Sequence, residues 1–335
     1  MGDDDATFNG LRGVISKFIF SAWDGYANFG SDIGGYRTAE DGSNDRYVFT
    51  RWAQLGAFVP LMENGGGGIH KPWEYDEEVS DIYRKFVTEH YRLSSYLHTT
   101  GSYAALRGTS SLTPLASRDE SKPWKFEEPS TFSYLLGPDL LVHPVVSNNT
   151  VGSFAPVTLT FPAVETGQIA DSWLDWWRPT DASRIKFSGM EETRELVAFD
   201  SYPVYVRRGA LMPLDEKYGA SSPTVSPVQF TWFGPVEGSS TSADVLEPSE
   251  EGPGVHCKVA LSADGQFTGS ITAHSTRQAG WTIVGVSEPS SIEFGTGLCR
   301  SSYHEQSLTF KITCANIKNG LTVTATGMKA AIAGL

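Results

Sequence analysis

The spacing of apolar residues changes once along this chain, near residue 106, and that change limits the possible folds more than any other feature of the sequence. Before it, helical rhythm alternates with short apolar runs and glycine-rich loops; after it, apolar and polar residues alternate singly. A period of 3.6 residues specifies an amphipathic helix, and a period of two specifies a half-buried strand. The chain therefore carries an α/β part in front and antiparallel β structure behind.

In the front part, residues 7–20 have the pattern of a helix, and the acids Asp3, Asp4 and Asp5 suit its N-terminus. Residues 26–32 read as a short buried strand running into the Gly34-Gly35 loop. A helix over 47–58, a strand over 58–62 and a loop of four glycines, Gly65 to Gly68, come next. Val79, Ile82, Phe86, Leu93 and Leu97 then predict one long helix over 77–100. Repeated helix, strand and polar loop is the grammar of a parallel α/β fold, whose chemistry sits on loops at the C-terminal ends of strands. Asp32 lies at such an end.

Behind residue 106, strand-like runs at 140–146, 157–161 and 204–207 predict one sandwich over 132–214, packed on the 77–100 helix with Trp173, Trp176 and Trp177 largely buried. Residues 216–254 are rich in Ser, Pro, Gly and Glu and read as a linker, loosest at 239–242 and 247–254. Alternation resumes over 255–335. The chain of 335 residues exceeds the usual single domain, and the predicted divisions are 1–105, 106–215 and 216–335.

A formal net charge of -13 with no basic run argues against a nucleic-acid or anionic-membrane partner and for a neutral substrate. No apolar window reaches the ~18 residues of a membrane span, and Met1-Gly2-Asp3-Asp4-Asp5 is the reverse of a cationic signal-peptide start, so the chain reads as soluble. Cys257, Cys299 and Cys314 allow at most one disulfide and lack zinc-site spacing. Asn148-Asn149-Thr150 matches a glycosylation acceptor without fixing a compartment. The glycine loop lacks the Lys-Ser/Thr of a phosphate loop, no His/Asp/Glu cluster has metal-ligand spacing, and no Gly-x-Ser-x-Gly elbow is present. No cofactor or metal is expected.

Phe29-Gly30-Ser31-Asp32-Ile33-Gly34-Gly35-Tyr36, followed by Arg51-Trp52-Ala53-Gln54-Leu55-Gly56-Ala57-Phe58-Val59-Pro60, closely resembles the stretch behind the acid/base carboxylate in glycoside hydrolase family 31. Phe132-Ser133-Tyr134-Leu135-Leu136-Gly137-Pro138-Asp139-Leu140-Leu141-Val142-His143-Pro144-Val145 and Tyr202-Pro203-Val204-Tyr205-Val206-Arg207-Arg208-Gly209-Ala210-Leu211 resemble its proximal β domain. The resemblance covers about residues 2–215. It implies the C-terminal portion of a (β/α)8 TIM barrel followed by two β-sandwich domains.

By that resemblance Asp3, on the family's Gly-Asp position, is the general acid/base, although Asp4 stands where the family has Asn or Gln. Asp32 holds the hydroxyls of the cleaved sugar, and Tyr36 is an aromatic wall beside it. Arg51 braces Asp32 or the barrel wall rather than touching sugar. The family's Arg-Asn-His trio is replaced by Glu63-Asn64-Gly65, and His70, carried back by the glycine loop, is the candidate for that missing sugar-binding His.

The implied activity is that of a retaining, exo-acting α-glucosidase-like O-glycosyl hydrolase, whose substrate is an oligosaccharide or α-glycoside. Retention needs two carboxyls ~5 Å apart, and the family's nucleophile lies on an earlier strand than Asp3. The chain therefore reads as truncated, lacking the nucleophile and open to a complementary chain that completes the barrel. The alternative is a non-catalytic carbohydrate-binding or remnant protein.

Overall fold

A computed structural model describes residues 3–38, 45–116, 131–147, 154–162, 172–189, 193–216, 227–246, 253–273, 278–295, 298–315 and 320–332. The chain forms two compact units: Met1–Tyr91, Thr100–Thr160 and Glu191–Val204 make the first, and Arg92–Thr99, Phe161–Met190 and Tyr205–Leu335 the second.

The first unit begins with α1 (Phe8–Trp23). Its cap is Thr7, whose Oγ1 accepts from the Gly10 amide at 3.0 Å, so a hydroxyl rather than the preceding acids satisfies the first turn. Leu11, Val14, Ile15, Phe18 and Ile19 form its buried stripe, the spacing of a single helical face. Next come β1 (Gly30–Asp32), α2 (Arg46–Gly56) and β2 (Leu61–Glu63). The strands pair in parallel, with Asp32 opposite Glu63, and α2 is the crossover such a pair requires. Asp45 caps α2 by accepting from the Tyr47 amide at 2.6 Å, and the Trp52 indole donates to Ser31 Oγ at 2.9 Å. Both strands are shorter than their apolar runs suggested.

Arg51 is 3% exposed. Its guanidinium donates to Gln54 Oε1 at 2.8 Å and to the carbonyls of Ser201 at 2.8 Å, Ala198 at 3.0 Å and Val197 at 3.4 Å. Burial lowers its pKa to about 10, which leaves it charged at neutral pH, and the carbonyls take the place of water around that charge. Gln54 Nε2 donates to Phe199 O at 2.8 Å. The same unit holds the antiparallel strands Leu112–Pro114, Tyr134–Leu136 and Leu140–Val142 and the separate pair Phe154–Leu159 with Thr193–Ala198.

The single helix predicted over 77–100 is two, α3 (Glu77–Arg92) and α4 (Ser94–Arg107). The break coincides with a captured donor: the Ser95 amide and hydroxyl donate to the Asp215 carboxylate at 2.7 and 3.0 Å. A continuous helix would direct that amide to the carbonyl four residues back.

In the second unit, Ser172–Asp175 pairs with residues 205–207 and with Lys186–Phe187. Trp173 and Trp176 are buried, but Trp177 is only half-buried, because the chain turns at Asp175, whose Oδ1 accepts from the Trp177 amide at 2.8 Å. Two five-stranded sheets follow. One runs Leu211–Asp215, Val228–Phe233, Ala279–Val284, Thr309–Ala315, Leu298–His304; the other runs Ser239–Leu246, Pro253–Leu261, Phe267–Ala273, Leu321–Thr326, Ser291–Phe294. Trp232, Trp281, Phe230, Phe267 and Phe310 lie in their shared core.

Two sequence readings change here. Leu211–Asp215 pairs with Val228–Phe233, so residues 132–214 do not close into one sandwich by themselves. Residues 239–242, read as linker, begin a strand, because pairing with Pro253–Leu261 satisfies a backbone whose serines gave no apolar signal. Residues 148–150 and 247–252 lie outside the described residues.

Cys299 and Cys314 face each other across adjacent strands and form a disulfide, while Cys257 is free and buried. Burial pushes the Cys257 thiol up, so it stays protonated and unreactive. Closing a loop of sequence separation 15 restricts the unfolded chain by about 3 kcal/mol. The double substitution of both bridged cysteines by serine is expected to lower unfolding stability by about that amount, measured by urea denaturation; equal midpoints would remove the bridge as a stabilising element.

Candidate active site

Three segments converge at the C-terminal ends of β1 and β2. The segment before α1 is tied to the turn after β1: Arg37 N donates to Asp4 O at 3.0 Å, and Ala6 N donates to Arg37 O at 2.8 Å. The loop after β2 joins the same turn, because Gly67 N donates to Tyr36 O at 2.8 Å. Residues 4–6, the turn that follows Asp32 and the glycine loop are thus backbone neighbours.

Close approach dictates the glycines. Gly35 has φ +90°, and a Cβ there would lie 2.7 Å from Ala6 Cα. Alanine would be strained by its dihedral and blocked by backbone at once. A Cβ on Gly65 would lie 2.6 Å from Asp32 Oδ1, so this glycine leaves room for the carboxylate.

The two N-terminal acids separate by environment. Asp4 is 12% exposed and bound to Lys17 Nζ at 2.5 Å, whereas Asp3 is exposed. Asp4 is thus taken up by an ion pair that Asp3 does not share. Asp32 is half-buried beneath the glycine loop, and Tyr36 is 45% exposed. His70 is half-buried, with Nδ1 2.9 Å from Ile33 O and Nε2 2.5 Å from Gly67 O. Both nitrogens face the backbone.

Sequence reasoning missed the Asp4–Lys17 pair and the role of Arg37. A one-turn search would have found neither, since Lys17 is thirteen residues from Asp4 and Arg37 acts through its backbone. Arg51 does not brace Asp32: its guanidinium bonds Gln54 and the carbonyls of residues 197–201, in the stretch read as the proximal β domain.

Comparison with known proteins identifies the family. The TIM-barrel domain of glycosyl hydrolases family 31 matches residues 1–100, and the C-terminal domain of glycosyl hydrolase family 31 matches 112–212. The chain belongs to glycoside hydrolase family 31, and its fold is the C-terminal portion of a (β/α)8 barrel followed by β-sandwich structure.

An α-xylosidase of Emericella nidulans is 27% identical over 224 residues, covering 64% of this chain and 26% of the relative. Neutral α-glucosidase C of Homo sapiens is 27% identical over 228 residues, covering 66% of this chain and 22% of the relative. The chain thus spans about a quarter of the length of these relatives.

Among solved structures, the cycloalternan-forming enzyme of Listeria monocytogenes superposes with a TM-score of 0.79 at 16% identity, covering 98% of this chain and 32% of that one. A Flavobacterium johnsoniae dextranase superposes with a TM-score of 0.73 at 19% identity, covering 96% and 42%. At these identities the superpositions speak for the fold. Among the described residues, no helix is long and apolar enough to cross a membrane.

Proposed function

We propose that this chain supplies the acid/base side of a retaining, exo-acting α-glycosidase that cleaves the O-glycosyl bond of an oligosaccharide or α-glycoside. The observation that carries this reading is the separation of the two neighbouring acids, Asp4 held by Lys17 and Asp3 exposed, beside a turn that also presents Asp32 and Tyr36. Asp3 protonates the glycosidic oxygen as the bond to the anomeric carbon breaks, and later takes a proton from the attacking water. Asp32 accepts hydrogen bonds from ring hydroxyls, and Tyr36 offers its ring to an apolar sugar face.

The second carboxylate of a retaining pair must attack from ~5 Å away. We assign it to a part of the protein outside residues 1–335, either earlier in one longer polypeptide or on a complementary chain, because the matched stretch covers only about a quarter of the relatives. The sugar is an α-glucoside or α-xyloside, the classes named among the relatives. The divisions 1–105, 106–215 and 216–335 are proposed as barrel part, proximal domain and distal domain.

The test is an assay of residues 1–335, and of the longest polypeptide expressed from the same coding sequence, with p-nitrophenyl α-glucoside, α-xyloside and α-galactoside. Turnover is expected only where the second carboxylate is present, and loss of that carboxylate removes a step worth many orders of magnitude. Turnover by residues 1–335 alone would make one of their own acids the nucleophile. Sugar binding without turnover by the longer polypeptide would favour the carbohydrate-binding reading.

A further inference from the structure

Two ring nitrogens and two backbone carbonyls meet at His70. Nδ1 stands 2.9 Å from Ile33 O, directly after Asp32, and Nε2 stands 2.5 Å from Gly67 O. Gly67 in turn donates its amide to Tyr36 O at 2.8 Å. The ring therefore bridges the turn that bears Asp32 and Tyr36 and the glycine loop that covers Asp32. The segment carrying the ring is itself fixed: Asn64 Nδ2 donates to His70 O at 3.1 Å, and the Tyr75 hydroxyl donates to Ile69 O at 2.9 Å.

A carbonyl oxygen only accepts, so both nitrogens must donate to satisfy the contact. Neutral imidazole carries one N–H, and imidazolium carries two. The protonated ring completes both bonds, whereas the neutral ring sets one lone pair against a carbonyl.

We infer that His70 is a positioning residue: it clasps the glycine loop to the turn after β1 and so fixes where Asp32 and Tyr36 meet the sugar. This rests on the proposed reading of that face as a sugar site. The backbone takes both nitrogens, so His70 acts on the sugar through Asp32 and Tyr36. Binding sites held by such supporting contacts lose function when the support loosens, even though no contact to the ligand is removed.

The experiment compares His70→Ala and His70→Gln with the wild type in the longest polypeptide expressed. Amide hydrogen exchange is followed by mass spectrometry on a peptide covering residues 63–70. Loss of both bonds is expected to speed exchange there by about 10- to 100-fold, with Gln, which can keep one donor, in between. Peptides from α1 and α2 should be unchanged.

KM for the best p-nitrophenyl glycoside should rise in the order wild type, Gln, Ala, with a smaller change in kcat. Unchanged exchange at 63–70 in the Ala variant overturns the clasp. Faster exchange with unchanged KM overturns the positioning role. Absence of turnover in the wild type sinks the glycosidase reading alone, and the exchange data then decide the clasp independently.

Discussion

Replacing Asp3 by asparagine is expected to lower kcat/KM of the intact glycosidase by about 10²- to 10⁴-fold, the range contributed by a positioned general acid. The loss should depend on the leaving group. An alkyl glycoside, whose departing oxygen is strongly basic, needs the proton and should suffer the full loss. A 2,4-dinitrophenyl glycoside departs without help and should be cleaved at a nearly unchanged glycosylation rate, so that the intermediate accumulates and a burst appears. Added azide, which attacks without a general base, should restore part of the second step.

Asp4→Asn should behave differently, because Asp4 is already committed to Lys17. With Lys17 partly exposed, that loss should amount to about 1 kcal/mol of stability and show no dependence on the leaving group. A leaving-group effect at Asp4 and none at Asp3 would exchange the two assignments.

Arg51→Met is expected to destabilise the first unit by about 3 to 5 kcal/mol, because it strips the donor from several buried acceptors at once, each worth ~1–3 kcal/mol when left unsatisfied. The stem of methionine fills most of the arginine's path, so little of the effect is lost packing. The acceptors left without that donor are Gln54 Oε1 and the carbonyls of residues 197, 198 and 201. Against a typical total stability of ~5–15 kcal/mol, the change should appear as a large fall in the urea midpoint. Gln54→Leu removes one donor and one acceptor and should produce about a third of the effect. A midpoint shift below about 1 kcal/mol for Arg51→Met would mean that water replaces the guanidinium.

The order of elements in the first unit was legible because its signals are local. The apolar stripe of α1 and the strand, helix, strand sequence around Asp32 need only short-range periodicity. What stayed hidden depends on partners far along the chain. No glycine or proline marks the break between α3 and α4, since its partner, Asp215, lies 120 residues from Ser95. The strand Ser239–Leu246 carries few apolar side chains and reads as linker until its neighbour at Pro253–Leu261 is known.

At the site, the Asp-Ile-Gly-Gly motif marked Asp32 and the turn. It could not show that both nitrogens of His70 point at main-chain oxygens, because that is a property of two loops meeting. The same limit explains the acids. Asp3, Asp4 and Asp5 are equivalent as letters and differ only once Lys17 comes up beside Asp4.

The chain passes between its two units at residues 91, 99, 160, 190 and 204, and this weaving sets an order on synthesis. A polypeptide leaves the ribosome at ~5–20 residues per second, N-terminus first. When α2 emerges, the carbonyls that will surround Arg51 lie some 150 residues behind it, about eight to thirty seconds of elongation at that pace. Until they arrive, the helix holds a cation that water has to solvate, and the first unit cannot close around it. A nascent chain stalled before residue 197 should therefore keep α2 accessible to protease, and one released beyond residue 204 should protect it. The bracing arginine thereby acts as a timer that delays completion of the first unit until its last strand has been made.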